Sequence, residues 1–280
     1  MNMPGKERAL VLGGGGVTGI AWETGVLAGL ARGGLDVVAS ADVIIGTSAG
    51  ATVAAQITSP MSVSTLYRRQ IDGTLAREPD IDLNVRELIA RFSGIMTSDA
   101  NALHARKTIG GLALQHDRVP EAERRAIIEK RLPSHTWPDR GPDLRVTAID
   151  AHTGILQVFD ARSGVDLVDA VAASCAIAVV WPAVTIAGTR YMDGSFRSAT
   201  NEDLAQGFRR VLVLQPMNLG ATSDVRPLSA SSDVHVVRPD EAAVAAMTAF
   251  LDPAAAAASA REGYRQGHDE APRLARMWCQ

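Results

Sequence analysis

Ser48 stands at the centre of Gly46-Thr47-Ser48-Ala49-Gly50, a G-x-S-x-G pentapeptide whose residue types suit nucleophilic attack on a carbonyl carbon. A serine hydroxyl needs a base within hydrogen-bond reach and donors for the oxyanion it creates. Gly13-Gly14-Gly15-Gly16 offers such donors, because successive N–H groups unobstructed by Cβ atoms can converge on one oxygen. Asp193-Gly194-Ser195 ends an apolar segment and offers a carboxylate at a turn. Six histidines, His104, His116, His135, His152, His235 and His268, occupy no recognisable catalytic motif. Triad partners come from anywhere in a chain, however, so a histidine base stays open on spacing alone. No His/Asp/Cys cluster has the spacing of metal ligands, and neither a metal nor any other cofactor is expected.

The flanking segments explain how such groups would be positioned. Ala9–Leu12 and Asp42–Ile45 are short apolar runs of the kind found in fully buried parallel strands. Helical patterns follow each, Ile20–Leu30 stopped by Gly33-Gly34, and Ala51 to about Thr58. The pentapeptide is therefore expected at a strand-to-helix turn, with Gly46 and Gly50 relieving the crowding at its apex. Strand, helix, strand, helix opens an α/β fold.

From about residue 60 to 138 the pattern is helical, with Val85, Leu88, Ile89 and Phe92 on one face and a helix opened by Pro120-Glu121. Hairpins are expected at 144–160 and 184–192, and an amphipathic helix at 166–176. Helix 201–208, strands 210–214 and 234–237, helix 240–251 and a last helix containing 254–258 complete the alternation. The expected fold is one α/β domain spanning 1–280, with a mostly parallel central sheet flanked by helices and a helical insertion around 60–138.

Composition narrows the function. With 28 basic and 31 acidic residues among 280, the net charge is −3, and no electrostatic case exists for nucleic acid. The pairs Arg68-Arg69, Arg124-Arg125 and Arg209-Arg210 are expected on solvated helix faces. Two cysteines build no disulfide framework. The apolar stretch 9–20 is interrupted by glycines and makes a poor secretion leader. No apolar run reaches the roughly 18 residues of a membrane span, so the cytoplasm is the expected location. Gly14-x-Gly16-x-x-Gly19, with Asp36 and Asp42 downstream, also fits a dinucleotide fingerprint. A nucleotide-binding α/β protein is the reading from another class.

Taken together, Gly13–Gly19 with Gly25, the Gly46–Gly50 pentapeptide and Asp193-Gly194-Ser195 resemble the three blocks of patatin-like phospholipases, in the same order. Ala173-Ser174-Cys175-Ala176-Ile177 and Trp181-Pro182 extend the resemblance. It implies a serine hydrolase of lipid acyl esters, with Ser48 as nucleophile, Asp193 as base, no histidine, and Gly14, Gly15 and Gly16 as the oxyanion hole. It implies a lipid or acyl ester substrate as partner, with transient contact at a membrane surface. Four positions depart from the family pattern: Ser195 for glycine or alanine, Ala178 and Ala183 for prolines, and Thr18 for an Arg or Lys that braces the oxyanion loop. Thr18 motivates an alternative, a patatin-fold protein that binds lipid or acyl groups with little turnover. It also leads to the expectation that Thr18→Arg raises turnover.

Overall fold

The computed structural model describes residues 7–74, 85–98, 101–115, 118–217, 226–247 and 250–279. Its strands are β1 (Arg8–Leu12), β2 (Val43–Thr47), β3 (Asp143–Asp150), β4 (Leu156–Phe159), β5 (Val184–Ile186), β6 (Thr189–Asp193), β7 (Arg210–Leu214) and β8 (Asp233–Val237). Its helices are α1 (Gly16–Arg32), α2 (Ala49–Ile57), α3 (Val63–Ile71), α4 (Val85–Ser98), α5 (Ala102–Leu114), α6 (Glu121–Arg131), α7 (Leu167–Ser174), α8 (Arg226–Ser229), α9 (Glu241–Ala246) and α10 (Ala256–Trp278).

All eight strands form one sheet, paired in the order β5-β6-β3-β2-β1-β7-β8 with β4 also on β3. β3, β2, β1, β7 and β8 run parallel, while β4 and β6 are antiparallel to β3 and β5 is antiparallel to β6. The α/β architecture is as expected, with a mostly parallel sheet and only helices in the described part of 60–138.

Alternation along the strands sorts side chains into two cores. Leu10, Leu12, Ile44 and Leu212 face one core with residues of α1, α2 and α7. Ala9, Val11, Ile45 and Val213 face the other, closed by Ala205, Phe208 and Leu228. The insertion has its own contact region, where Leu88 and Phe92 of α4 and Ile109 of α5 pack against Ile149, Trp181 and Met192.

Several local expectations change in the folded chain. The 201–208 helix is a short turn of 3-10 helix at Glu202–Ala205, preceded by Asn201 in a left-handed conformation (φ 51°, ψ 38°). The 166–176 helix shortens to α7, and only Asp169 among its eight residues is not buried. It is a core helix, so its pattern reflects burial on nearly all sides. The 240–251 helix is α9 alone, and residues 248–249 lie outside the described residues. Asp36 and Asp42 serve the backbone: Asp36 accepts from the Ala39 N–H, and Asp42 from the Glu7 and Arg8 N–H groups. Asp42 precedes β2, at the end opposite Ser48, which is the wrong place for a dinucleotide's ribose carboxylate.

α1 and α10 pack without side chains between their backbones. A Cβ on Gly25 or Gly29 would stand 2.2 Å from the carbonyl oxygens of Ala260 and Tyr264, respectively. One on Gly263 or Gly267 would stand 2.3 and 2.1 Å from those of Trp22 and Val26. These glycines provide close approach, and α1 carries the glycine loop on its N-terminus. Gly25→Ala is expected to force the helices apart and cost about 1–3 kcal/mol, the range of core overpacking. Gly94→Ala, on an open helical surface, should stabilise by about 0.5–1 kcal/mol. Urea midpoints on the two variants check the contrast, and equal midpoints would dismiss the close-packing account.

Candidate active site

β3 is long enough to pair with two strands end to end along one edge. β4 pairs with Val146–Ile149. β2 overlaps that stretch through Thr47↔Thr147, and β6 overlaps it through Asp193↔Ala148. Both must therefore occupy the edge of β3 opposite β4. They run toward each other and stop at adjacent rungs, so Ser48, one residue beyond Thr47, meets Asp193. Neither chain can continue. Ser48 turns out at φ 55° and ψ −115° into α2, a strained left-handed geometry for a residue with a side chain. The chain after Asp193 turns away over Thr147, where a Cβ on Gly194 would stand 2.6 Å from the Thr147 hydroxyl.

Hydrogen bonds hold this turn from several sides. The Ser48 N–H donates to Ser174 Oγ at 2.8 Å, and the Cys175 thiol donates to the Ser48 carbonyl at 3.2 Å. Gly50 lies so close to β1 that a Cβ would stand 2.1 Å from the Leu12 carbonyl oxygen, and its N–H donates to the Gly13 carbonyl at 2.9 Å. Asn201 Nδ2 donates to Thr47 Oγ1 at 3.1 Å and to the Gly194 carbonyl at 3.3 Å. Thus α7, the glycine loop and the 198–201 turn all fix the junction.

The glycine loop divides its labour. Gly13 N–H is shared between the Leu214 carbonyl and the carboxylate of Glu23, at 3.0 and 2.8 Å. Gly14 N–H donates to the Ala199 carbonyl at 2.8 Å. It therefore cannot also face an oxyanion in this geometry, which revises the expectation of three donors. Its lack of a side chain matters instead, since a Cβ there would stand 3.5 Å from Ser48 Cβ and 3.2 Å from Ser195 Cβ. Gly15 and Gly16 open α1, and among the described residues neither N–H has a protein acceptor. Gly16 takes φ 61° because the chain bends past Phe250.

Asp193 is fully buried. Its Oδ1 accepts from the Ser195 N–H at 2.8 Å, and its Oδ2 makes no hydrogen bond within normal distance. Burial pushes its pKa up to about 6, while the nearby Ser48 hydroxyl, the Ser195 N–H and hydroxyl, and the Arg124 charge act in the opposite direction. Beside it, burial pushes the Cys175 thiol up to about 11, so this cysteine is neutral at physiological pH.

Ser48 opens onto a narrow cleft lined also by Gly16, Arg124, Arg131, Trp181 and Leu251. It has about 20 Å³ of free space, room for roughly one water molecule. Anything larger than a water molecule fits only if the Trp181–Leu251 wall parts. No histidine lines the cleft among the described residues: His104, His135, His152 and His268 are exposed and His235 pairs with Glu270. His116 lies outside the described residues. A larger cavity, about 380 Å³, lies by Arg209, Arg210 and Arg273 and contains no Ser48-like nucleophile.

Arg124 and Arg210, expected on solvated helix faces, are both buried, with 3% exposure each. Arg210 lies on β7 and pairs with Glu7. The Arg124-Arg125 pair splits, Arg125 reaching Asp169 at the surface while Arg124 turns inward. The sequence signal for this was the i, i+7 spacing of Arg124 and Arg131, which puts both on one helical face. Local sequence gives Ser174 no role of its own, because its partner is 126 residues away.

Thr18 also differs from expectation. It is fully buried, its hydroxyl has no partner, and it does not line the cleft. An arginine there would be buried in a packed helix, where an uncompensated charge is costly. Thr18→Arg is now expected to lower the melting temperature without raising turnover, and a variant both faster and equally stable would contradict this. Ser174→Ala should leave the Ser48 N–H without an acceptor and cost about 1–3 kcal/mol, measured by denaturant unfolding, with a fall in any Ser48-dependent activity.

No curated protein matches the sequence. Among solved structures, VipD from Legionella pneumophila is similar, with 13% identity, 96% of this chain and 67% of that chain covered, and a TM-score of 0.49. The type III effector protein ExoU gives 15% identity, 96% and 53% coverage, and a TM-score of 0.46. A chain of the SpcU–ExoU complex from Pseudomonas aeruginosa gives 19% identity, 96% and 53% coverage, and 0.41. This chain therefore spans about half the length of the ExoU structures. The family profile described as patatin-like phospholipase matches residues 10–205, a stretch that contains Ser48, Asp193 and the whole glycine loop. The chain belongs to the patatin-like phospholipase family of acyl ester hydrolases.

Proposed function

We propose that the protein hydrolyses fatty acyl esters of lipids through a Ser48–Asp193 dyad. The observation that carries this reading is the meeting of the two residues at the strand ends on one edge of β3. Ser48 Oγ attacks the ester carbonyl carbon and its proton passes to Asp193. The resulting oxyanion accepts hydrogen bonds from the Gly15 and Gly16 N–H groups, at the positive end of α1. Collapse breaks the ester bond, and the departing alkoxide takes the proton from Asp193. Water then attacks acyl-Ser48, again giving a proton to Asp193, and the fatty acid leaves as Ser48 recovers its hydrogen.

Burial supports Asp193 in this role. A carboxylate in water is too weak a base for a hydroxyl, and a pKa raised to about 6 brings it nearer the working pH. The free Oδ2 lone pairs are available for the Ser48 proton. No helix among the described residues is long and apolar enough to cross a membrane. Contact with lipid is proposed as a transient one at the membrane surface, and the cytoplasm as the location.

Ser48→Ala and Asp193→Asn are each expected to abolish hydrolysis of p-nitrophenyl esters and, for Ser48→Ala, labelling by a fluorophosphonate. Retained hydrolysis by purified Ser48→Ala would dismiss the nucleophile. An active Asp193→Asn with one indispensable histidine would replace the dyad by a triad. Labelling without turnover would favour the binding-protein alternative.

The pH dependence has a definite sign. Asp193 must be ionised to accept a proton, so kcat/KM should rise with pH through about 6. Stability moves the other way. The folded pKa lies above the unfolded one, so the fold gains from protonation at low pH and loses that gain as pH rises from about 4 to 6. Asp193→Asn should therefore be inactive yet more stable at pH 8, by roughly 1–3 kcal/mol. Chemical denaturation at pH 4 and pH 8 measures this, and a variant less stable than wild type at pH 8 contradicts the assignment of a raised pKa.

A further inference from the structure

Arg124 is the feature of the cleft that its proposed chemistry has not used. It belongs to the first turn of α6, where the positive end of the helix dipole disfavours a cation. Arg131, one face along the same helix, brings a second guanidinium to the same cleft. Both are almost completely buried, with 3% and 7% exposure. Arginine keeps its charge in such a site. The guanidinium carbon of Arg124 lies 3.9 Å from the ring centroid of Trp181, itself fully buried, and this stacking offsets part of the desolvation cost. It also makes a flat platform that limits where the guanidinium can go.

Two negative charges bear on this cation within the cleft. Asp193 provides a fixed one nearby. The other arises during reaction, because the Ser48 adduct carries an oxyanion in the space bounded by Gly16 and Arg124.

We propose that Arg124 is a further catalytic residue, whose guanidinium, held on Trp181, stabilises the oxyanion formed on Ser48. This rests on the reading of Ser48 and Asp193 as the reacting pair. The glycine loop supplies two N–H donors from one side, and α6 supplies a full charge from the helical insertion. Thr18 leaves the loop itself without a cation, and Arg124 brings one from a different element. No covalent step is added: the ester, the Ser48 proton and the leaving group follow the same course.

The experiment uses the full chain and a short uncharged p-nitrophenyl ester, so no anionic head group can account for an effect. Arg124→Gln should lower kcat by about 10–100-fold while KM changes by less than about three-fold, the signature of an interaction made in the transition state. Arg124→Lys should recover part of kcat, because the charge returns without the stacked plane. A second readout is the acid limb of kcat/KM. The groups facing Asp193 are the Ser48 and Ser195 hydroxyls, the Arg124 cation and the neutral Cys175 thiol. Loss of the cation should move the limb to higher pH in Arg124→Gln, and Arg131→Gln should move it less.

A rise in KM with kcat unchanged would make Arg124 a ground-state binding group and overturn the proposal. Equal losses in the Gln and Lys variants with an unmoved acid limb, or failure of both to fold, would assign it to packing and also overturn it. Ser48→Ala and Asp193→Asn run alongside separate the two levels. If either stays active, the reading of the reacting pair has failed. If both are inactive and Arg124→Gln is unimpaired, only this inference has failed.

Discussion

The structure depends on two strands that approach head-on along one edge of β3. β2 rises to Thr47 and β6 descends to Asp193, at neighbouring rungs. Backbone cannot pass through backbone, so both chains must leave the sheet there, and the two side chains at the exits are brought together. Ser48 adopts its positive φ because no extended continuation exists. The cost of such a conformation is of order 1–3 kcal/mol, and surrounding contacts must over-determine it. They come from α7 through Ser174 and Cys175, from β1 through Leu12, and from the 198–201 turn through Asn201.

Burial then sets the chemistry of this junction. Among the described residues, Oδ1 of Asp193 and the Gly13 and Gly14 amides have partners, while Oδ2 of Asp193 and the Gly15 and Gly16 amides do not. Oδ2 of Asp193 and the two glycine amides are the groups that the proposed proton and oxyanion would use, whereas Thr18 Oγ1 and Glu23 Oε2, also without partners, are not. Glu23, fully buried with a pKa raised by desolvation, accepts from the Gly13 N–H and anchors the start of the loop. Preorganisation of this kind costs folding stability and lowers the reorganisation needed during reaction.

The helical insertion takes part in the site through one face of α6. Trp181, Arg124 and Arg131 close the cleft over Ser48, while α4 and α5 pack on Ile149 and Met192, one rung from the Ala148–Asp193 pair. The sheet thus fixes Ser48 and Asp193, and the insertion shapes the space beside them. The packing of α1 against α10 secures the opposite wall, since displacement of α1 would carry Gly16 with it.

Local sequence is enough to read the α/β class, the sharp turn at Ser48, the turn at Asp193 and the glycine loop. These are local features, in which apolar runs, glycines and turn residues act on neighbours within a few positions. The local pattern at 201–208 was misleading, because Asn201 is drawn into a left-handed conformation by partners at Thr47 and Gly194. Only the tertiary structure decided which glycine amides remain open, since the acceptor for Gly14 is Ala199, 185 residues along the chain. It likewise decided that Arg124 points inward and Arg125 outward, although the two are adjacent and alike in sequence. Helical rotation of about 100° per residue separates their faces, and which face is buried depends on where α6 packs. That packing is set by Trp181 and α7, distant segments whose positions no local pattern encodes.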